Sequence, residues 1–158
     1  MGDIMATAKI DFKQFTQFAK QFESLKDAEF DTLCRQIVYR LAYELLKKVK
    51  NRTPVNQKIP NDVNYNGGGD LRDGWEIGEI TKEDGMYRAE VINPVYYALF
   101  VEKGHRGVYV PELGVTLHLD THWTDGVFML QISEGEIKKV ADKFVQAKLD
   151  IFIKSHFK

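Results

Sequence analysis

Three of the four histidines, His105, His118 and His122, stand close to Glu102, Asp120 and Asp125, and imidazole plus carboxylate is the donor set a zinc ion takes. A metal-dependent hydrolase using Glu102, His105, His118 and His122 is therefore the enzymatic reading of the chain. The spacing argues against it. His118 and His122 would share a face on a helix, but they fall on a strand and the loop after it, where a four-residue step gives no convergence. There is no HExxH pair, and Cys34 is the lone cysteine. Nucleophilic catalysis has less support still, because no Ser or Cys stands in a glycine-flanked strand-to-helix turn. The run Asn66-Gly67-Gly68-Gly69 does not make a phosphate cradle: no Lys-Ser or Lys-Thr follows it and no strand precedes it. These residues imply no catalytic group, no metal and no cofactor.

A different chemistry is concentrated between Asn93 and Arg106. Val95, Tyr96, Ala98, Leu99 and Val101 call for burial, yet Glu102, His105 and Arg106 follow within two helical turns. Burying a charge is costly unless it is paired. One reading is a short helix over 95–103, ended by Gly104 in a left-handed cap, with an exposed charged tip. The other is a polar network or a surface for a partner, in which Glu102 with Arg72, or Glu102 with Arg106, forms a partly buried ion pair.

The elements that position these residues are legible from periodicity. Phe12, Phe15, Phe18, Ala19, Phe22 and Leu25 recur at three- and four-residue steps and predict an amphipathic helix over about 10–26. Such a stripe usually enters the core, and near a terminus it can instead grip a neighbouring subunit. Ser24 or Asp27 can cap a second helix, whose stripe is Phe30, Leu33, Cys34, Ile37, Val38, Leu41, Ala42, Leu45 and Val49. Lys47, Lys48, Lys50 and Arg52 gather at its end as a solvated basic cluster that suits the helix dipole, with phosphate contact as the alternative.

From 53 to 70 the chain is rich in Pro, Asn, Gly and Asp without a period, which predicts a long mobile loop. The segment Gly68 to Trp75 then opens a strand. Trp75, Ile77 and Ile80 lead to a turn at Asp84-Gly85, and Tyr87, Ala89 and Val91 return on one face against Arg88 and Glu90 on the other. Val108–Val110 and Val115–Leu119 predict a second hairpin around Pro111–Gly114. A long helix covers most of 127–157, with Gly135 as a kink or as its start. The fold class is α+β: a small antiparallel sheet of two hairpins packed against a long helix in the N-terminal half and a long C-terminal helix.

At 158 residues and 18.2 kDa the chain is long enough for one domain spanning 1–158 with its own core. A hydrophobic share of 44% against 28% charged places it among soluble globular proteins rather than disordered ones. A net charge of -1 gives no pull toward nucleic acid or a membrane surface. The lone Cys34 excludes an internal disulfide and sits on an apolar helical stripe as a small hydrophobe. The first residues lack the apolar core of a signal peptide and no later run could span a bilayer, so a reducing cytoplasm is the expected place of synthesis.

Taken in order, Arg52-Thr53-Pro54-Val55, then Gly68-Gly69 with Leu71-Arg72 and Trp75, then Val91-Ile92-Asn93-Pro94-Val95 with Tyr97-Ala98, Val101-Glu102 and Gly104-His105-Arg106, then Trp123-Thr124 with Gly126 and Phe128-Met129-Leu130, resemble the tail-component family of tailed bacteriophages. The resemblance runs from about Leu33 to Phe152. Members of that family complete the tail and join it to the head. The resemblance therefore implies a non-enzymatic virion or tail-particle component, made in the host bacterial cytoplasm. It would form a homo-oligomeric ring, hexameric by the sixfold symmetry of tail tubes, at the head-proximal end. Its partners would be the tail-tube or tail-terminator protein and head-connector or collar proteins. A closed ring needs one face of each subunit to meet a different face of the next. Phe12, Phe15, Phe18, Phe22 and Gly67, Gly68 and Gly69 are the candidate interface residues. The chain departs from the shorter family pattern, since Asn56 to Asp70 stand between Thr-Pro-Val and Leu-Arg.

Overall fold

The computed structural model describes residues 6–9, 28–55, 68–110, 115–117 and 123–156. The expected Phe-rich helix over 10–26 with its caps Ser24 and Asp27, the loop residues 56–67, the turn 111–114, and the segment 118–122 with its two histidines lie outside the described residues. The elements in chain order are β1 (Ala6–Lys9), α1 (Ala28–Arg52), α2 (Asp70–Asp73), β2 (Glu76–Ile77), β3 (Thr81–Glu83), β4 (Met86–Arg88), β5 (Glu90–Asn93), α3 (Ala98–Lys103), β6 (Gly104–Arg106), β7 (Val108–Val110), β8 (Val115–Leu117), β9 (Trp123–Asp125) and α4 (Met129–His156). The expected α+β class is observed, with two long helices and small antiparallel sheets.

The 3.6-residue stripe of α1 becomes its buried face: Phe30, Cys34, Ile37, Val38, Leu41, Ala42, Leu45 and Val49 are all buried, and Leu33 packs at the margin. Opposite it α4 contributes Met129, Ile137, Ala141, Val145 and Leu149. The two helices run antiparallel, as two contacts at their opposite ends require. Phe30 meets Phe152 with ring centroids 5.9 Å apart, and Lys48 reaches Glu136 at 2.7 Å. Gly135 does not start α4; it lies inside the helix with open space where a Cβ would be. No helix among the described residues is long and apolar enough to cross a membrane.

Under the helices, β5 is the centre of a three-stranded antiparallel sheet, with β1 on one side (Ala8 opposite Val91) and β2 on the other (Ile77 opposite Val91). The hairpin expected at Asp84-Gly85 is present as β3–β4. Both turn residues have positive φ, 50° and 77°, as a two-residue turn matched to strand twist demands. Tyr87, Ala89 and Val91 face inward as the alternation requires. The hairpin β7–β8 is also present, Val110 facing Val115. One expectation fails locally: Gly68 to Trp75 does not open a strand. Asp70–Asp73 make one helical turn, entered through Gly69 at φ 105° and closed by the Gly74 N–H to Asp70.

A polar cluster ties the start of α1 to the first hairpin. Asp31 accepts hydrogen bonds from Lys82 at 2.8 Å, from the Tyr87 hydroxyl at 2.5 Å and from Arg35 at 2.8 Å. The Lys82 bond, then those of Tyr87 and Arg35, hold the Asp31 carboxyl well below the usual carboxylate range. Tyr87 is pushed up to about 12, by burial first and by its bond to Asp31 second, so its hydroxyl keeps its proton. Because the folded pKa of Asp31 lies below the unfolded value, its contribution to stability is present above about pH 4 and is lost as pH falls further. Asp31→Asn should therefore flatten the acid limb of a urea-midpoint against pH curve below about pH 4. An unchanged limb would show that the cluster does not couple to folding.

Candidate functional site

The signature residues converge on three buried polar joints. The first closes α1. Thr53 continues the helix by one N–H to Val49 O at 2.9 Å, and Pro54, which has no N–H and restricts the residue before it, stops the helix there. The Thr53 hydroxyl donates to the Val49 carbonyl at 2.8 Å and accepts the indole N–H of Trp75 at 2.9 Å. Trp75 is 1% exposed, so this bond satisfies an indole that no water reaches.

The second joint is Asn93. Its amide nitrogen donates to the Leu71 carbonyl at 2.6 Å and its Oδ1 accepts the Val95 N–H at 3.0 Å, bridging over Pro94. Gly74 leaves the room for it, since a Cβ there would come within 2.9 Å of Asn93 Oδ1, the Asp70 carbonyl and Val95 Cγ2. Asn93 thus holds α2, the end of β5 and the approach to α3 together.

Glu102 forms the third. Its carboxylate, on a residue 2% exposed, accepts the Leu130 N–H through Oε2 and the Gln131 N–H through Oε1, both at 2.9 Å. These are first-turn amides of α4, which have no partner inside the helix. A carboxylate there also meets the positive end of the helix dipole. Phe128, immediately before α4, has φ 52° and presents no capping side chain of its own, so the cap comes from α3. The backbones close the joint as well: Val127 and Phe128 donate to the carbonyls of Val101 and Glu102 at 2.8 and 3.1 Å. Gly104, at φ 86°, and Gly126 cross so closely that a Cβ on Gly126 would lie 2.4 Å from the Glu102 carbonyl oxygen.

These bonds correct two expectations. Glu102 pairs with neither Arg72 nor Arg106, because both its oxygens are taken by α4; Arg72 is exposed and lies 3.4 Å from Asp73. The helix before Gly104 does end there, but with Gly104 at φ 86° and ψ 168° rather than in the left-handed helical cap, and Glu102 is not part of an exposed tip. The basic end of α1 is also not simply solvated. Arg52 and Lys48 converge on Glu136, whose carboxyl the Lys48 bond holds below its ordinary range, and Arg52 donates to the buried Ser133 hydroxyl at 3.1 Å. Lys50 reaches the Asp73 carbonyl at 3.4 Å.

Of the other expected residues, Leu71 and Ala98 are buried in the core, while Val55, Tyr97, Val101 and His105 are half-buried. Burial raises the Tyr97 hydroxyl above its ordinary value. His105 stacks edge-on to Phe100 at 6.1 Å. Pro54, Arg106 and Gly68 are exposed and Gly69 is buried. Phe12, Phe15, Phe18, Phe22 and Gly67, with His118 and His122, lie outside the described residues. Among the described residues no group of three or more His, Cys, Asp or Glu could hold a metal ion. Sequence reasoning missed Ser133 and Glu136; Gly126 stood among the signature residues, but the close backbone crossing that requires a glycine there was not legible from it.

The family model described as "Bacteriophage HK97-gp10, putative tail-component" matches residues 16–104. The match contains the Thr53–Trp75 and Asn93–Leu71 joints and ends at the cap of α3, two residues after Glu102. No curated protein and no solved structure matches the chain.

Proposed function

The chain belongs to the family of bacteriophage HK97-gp10-like tail components, a virion-associated structural family, and from that premise we propose that it closes the tail at its head-proximal end as a homo-oligomeric ring, joining it to the head or collar. The single observation that carries the reading is the match over 16–104, whose signature residues serve as joints of the fold and leave its surfaces for assembly. In this role residues 1–158 act as one tail-completion unit made in the host cytoplasm. Function is then surface complementarity rather than bond making. The partners are copies of the chain, a tail-tube or tail-terminator protein, and connector or collar proteins. The candidate contacts are the Phe12, Phe15, Phe18 and Phe22 stripe and the Gly67–Gly69 loop.

A strain lacking the protein should still make tube subunits but should show tubes of irregular length, or tails and heads that never join. Phe15→Asp with Phe22→Asp should reproduce that loss in a subunit that still folds, whereas His118→Ala and His122→Ala should be tolerated. Electron microscopy of the particles decides it, and normal tails from the deletion strain would reject the reading.

A further inference from the structure

Between α1 and α4 runs a groove of about 660 Å³ whose apolar walls are Leu33 and Ile37 on one helix and Phe144, Ile151 and Phe152 on the other. Ile151 is 64% exposed. Of the lining residues Arg40 and Lys148 are charged, and both are engaged: Arg40 by Glu44 at 2.8 Å, and Lys148 by the Phe144 ring, whose centroid lies 5.7 Å from its Nζ. The chemistry such a groove recognises is therefore apolar, as when an amphipathic helix lays one face into a hydrophobic channel.

The chain carries a segment of that chemistry, attached at both ends beside the groove. β1 ends at Lys9, opposite Glu90 in β5, and Tyr87, three residues before Glu90, bonds through its hydroxyl to Asp31 in the first turn of α1 at 2.5 Å. α1 itself opens at Ala28. Residues 10–27 therefore leave and rejoin the fold near the N-terminal end of α1, the end at which Phe30 meets Phe152 of the groove wall. Within them Phe12, Phe15, Phe18 and Phe22 share one face of the helix that their spacing predicts. The lengths agree. Ten residues from Phe12 to Phe22, and eleven from Phe144 to Ser155 along the α4 wall, each rise about 15 to 16 Å on a helix. Asp11, Glu23 and Asp27 balance Lys13, Lys20 and Lys26, so net charge neither draws the segment to the groove nor holds it off.

We infer that in the free subunit the Phe12–Phe22 stripe seats in the α1–α4 groove of its own chain. Attachment at both ends holds the stripe at an effective concentration of about millimolar beside the groove, which a second copy matches only when the protein itself is that concentrated. The inference goes beyond the assembly reading, in which the stripe is used against a neighbour: the groove gives it a place before any neighbour arrives.

The test uses the full chain with the photoreactive p-benzoylphenylalanine replacing Phe15 in one protein and Phe18 in another, each irradiated at about micromolar concentration, far below that of the attached stripe. The expected product is a cross-link within one chain, from the probe to peptides 33–40 or 144–155. Cross-links that join two chains, or none to those peptides, would overturn the inference. Ile151→Glu gives a second, independent reading, since it alters the groove at an exposed position and leaves the buried stripe of α1 untouched. It should speed hydrogen exchange of amides 12–22 by at least about tenfold while amides 37–45 keep their wild-type rates. Raising salt from about 0.05 to 1 M should leave the wild-type protection of 12–22 unchanged, because an apolar contact is not screened. Exchange in 12–22 that is equal in wild type and variant, or protection that vanishes in salt, would remove the groove as the seat of the stripe. Neither measurement depends on tail formation, so the deletion strain tests the assembly reading separately.

Discussion

Glu102→Ala is expected to lower the unfolding free energy by about 3 to 5 kcal/mol, since hydrogen bonds to a charged group contribute about 1.5 to 3 kcal/mol each. Two such bonds are lost together, and the Leu130 and Gln131 amides are left without their acceptor in a buried place. Against a total stability of about 5 to 15 kcal/mol this is a large fraction. In a chain of this size it corresponds to a melting midpoint lower by about 10 °C. Glu102→Gln keeps one carbonyl acceptor but turns an N–H donor toward an amide N–H, so it should fall between wild type and Ala. Arg72→Met should leave the midpoint within about 1 °C, because an exposed contact at 3.4 Å contributes little. Differential scanning calorimetry of the three proteins checks the order. A Glu102→Ala midpoint equal to wild type would show that water replaces the cap.

The second large effect is expected at Gly126. A Cβ there would lie 2.4 Å from the Glu102 carbonyl oxygen and 2.6 and 2.7 Å from Lys103 and Gly104 backbone atoms, none of which is a side chain able to swing aside. Gly126→Ala must therefore part the two backbones. That would weaken the Val127 and Phe128 bonds to α3 and misplace the first turn of α4 over Glu102. A loss of about 3 kcal/mol or more follows from overpacking combined with lost hydrogen bonds. Gly135→Ala, at a helical position with open space around it, should instead stabilise by about 0.5 to 1 kcal/mol. Urea titrations of both variants give the comparison, and equal midpoints would remove the argument from close approach.

Local pattern carried much of the architecture. The α1 stripe announced its buried face because helix period and burial are the same information, and Asp84-Gly85 announced its hairpin because few residue pairs accept two positive φ values. Asn93 and Glu102 were recognisable as polar residues in apolar surroundings. Their partners were not, because those partners are backbone groups of Leu71, Val95, Leu130 and Gln131, which every residue type possesses. A search among side chains for a mate to Glu102 therefore settled on Arg72 and Arg106. The pairing of β1 with β5 was silent for a similar reason: Ala6–Lys9 is four residues long, too short for periodicity to register against its surroundings.

The antiparallel pairing of α1 with α4 also fixes when this protein can finish folding during synthesis. The start of α1 is covered by residues as late as Phe152, which Phe30 meets, so the apolar stripe of an emerging chain waits for more than a hundred further residues before its cover is complete. At about 5 to 20 residues per second this interval is several seconds or more, long enough for a bare helix to meet chaperones or neighbouring nascent chains. Ribosomes paused before α4 would hold a chain with its core open, and emergence of α4 is the step that closes it.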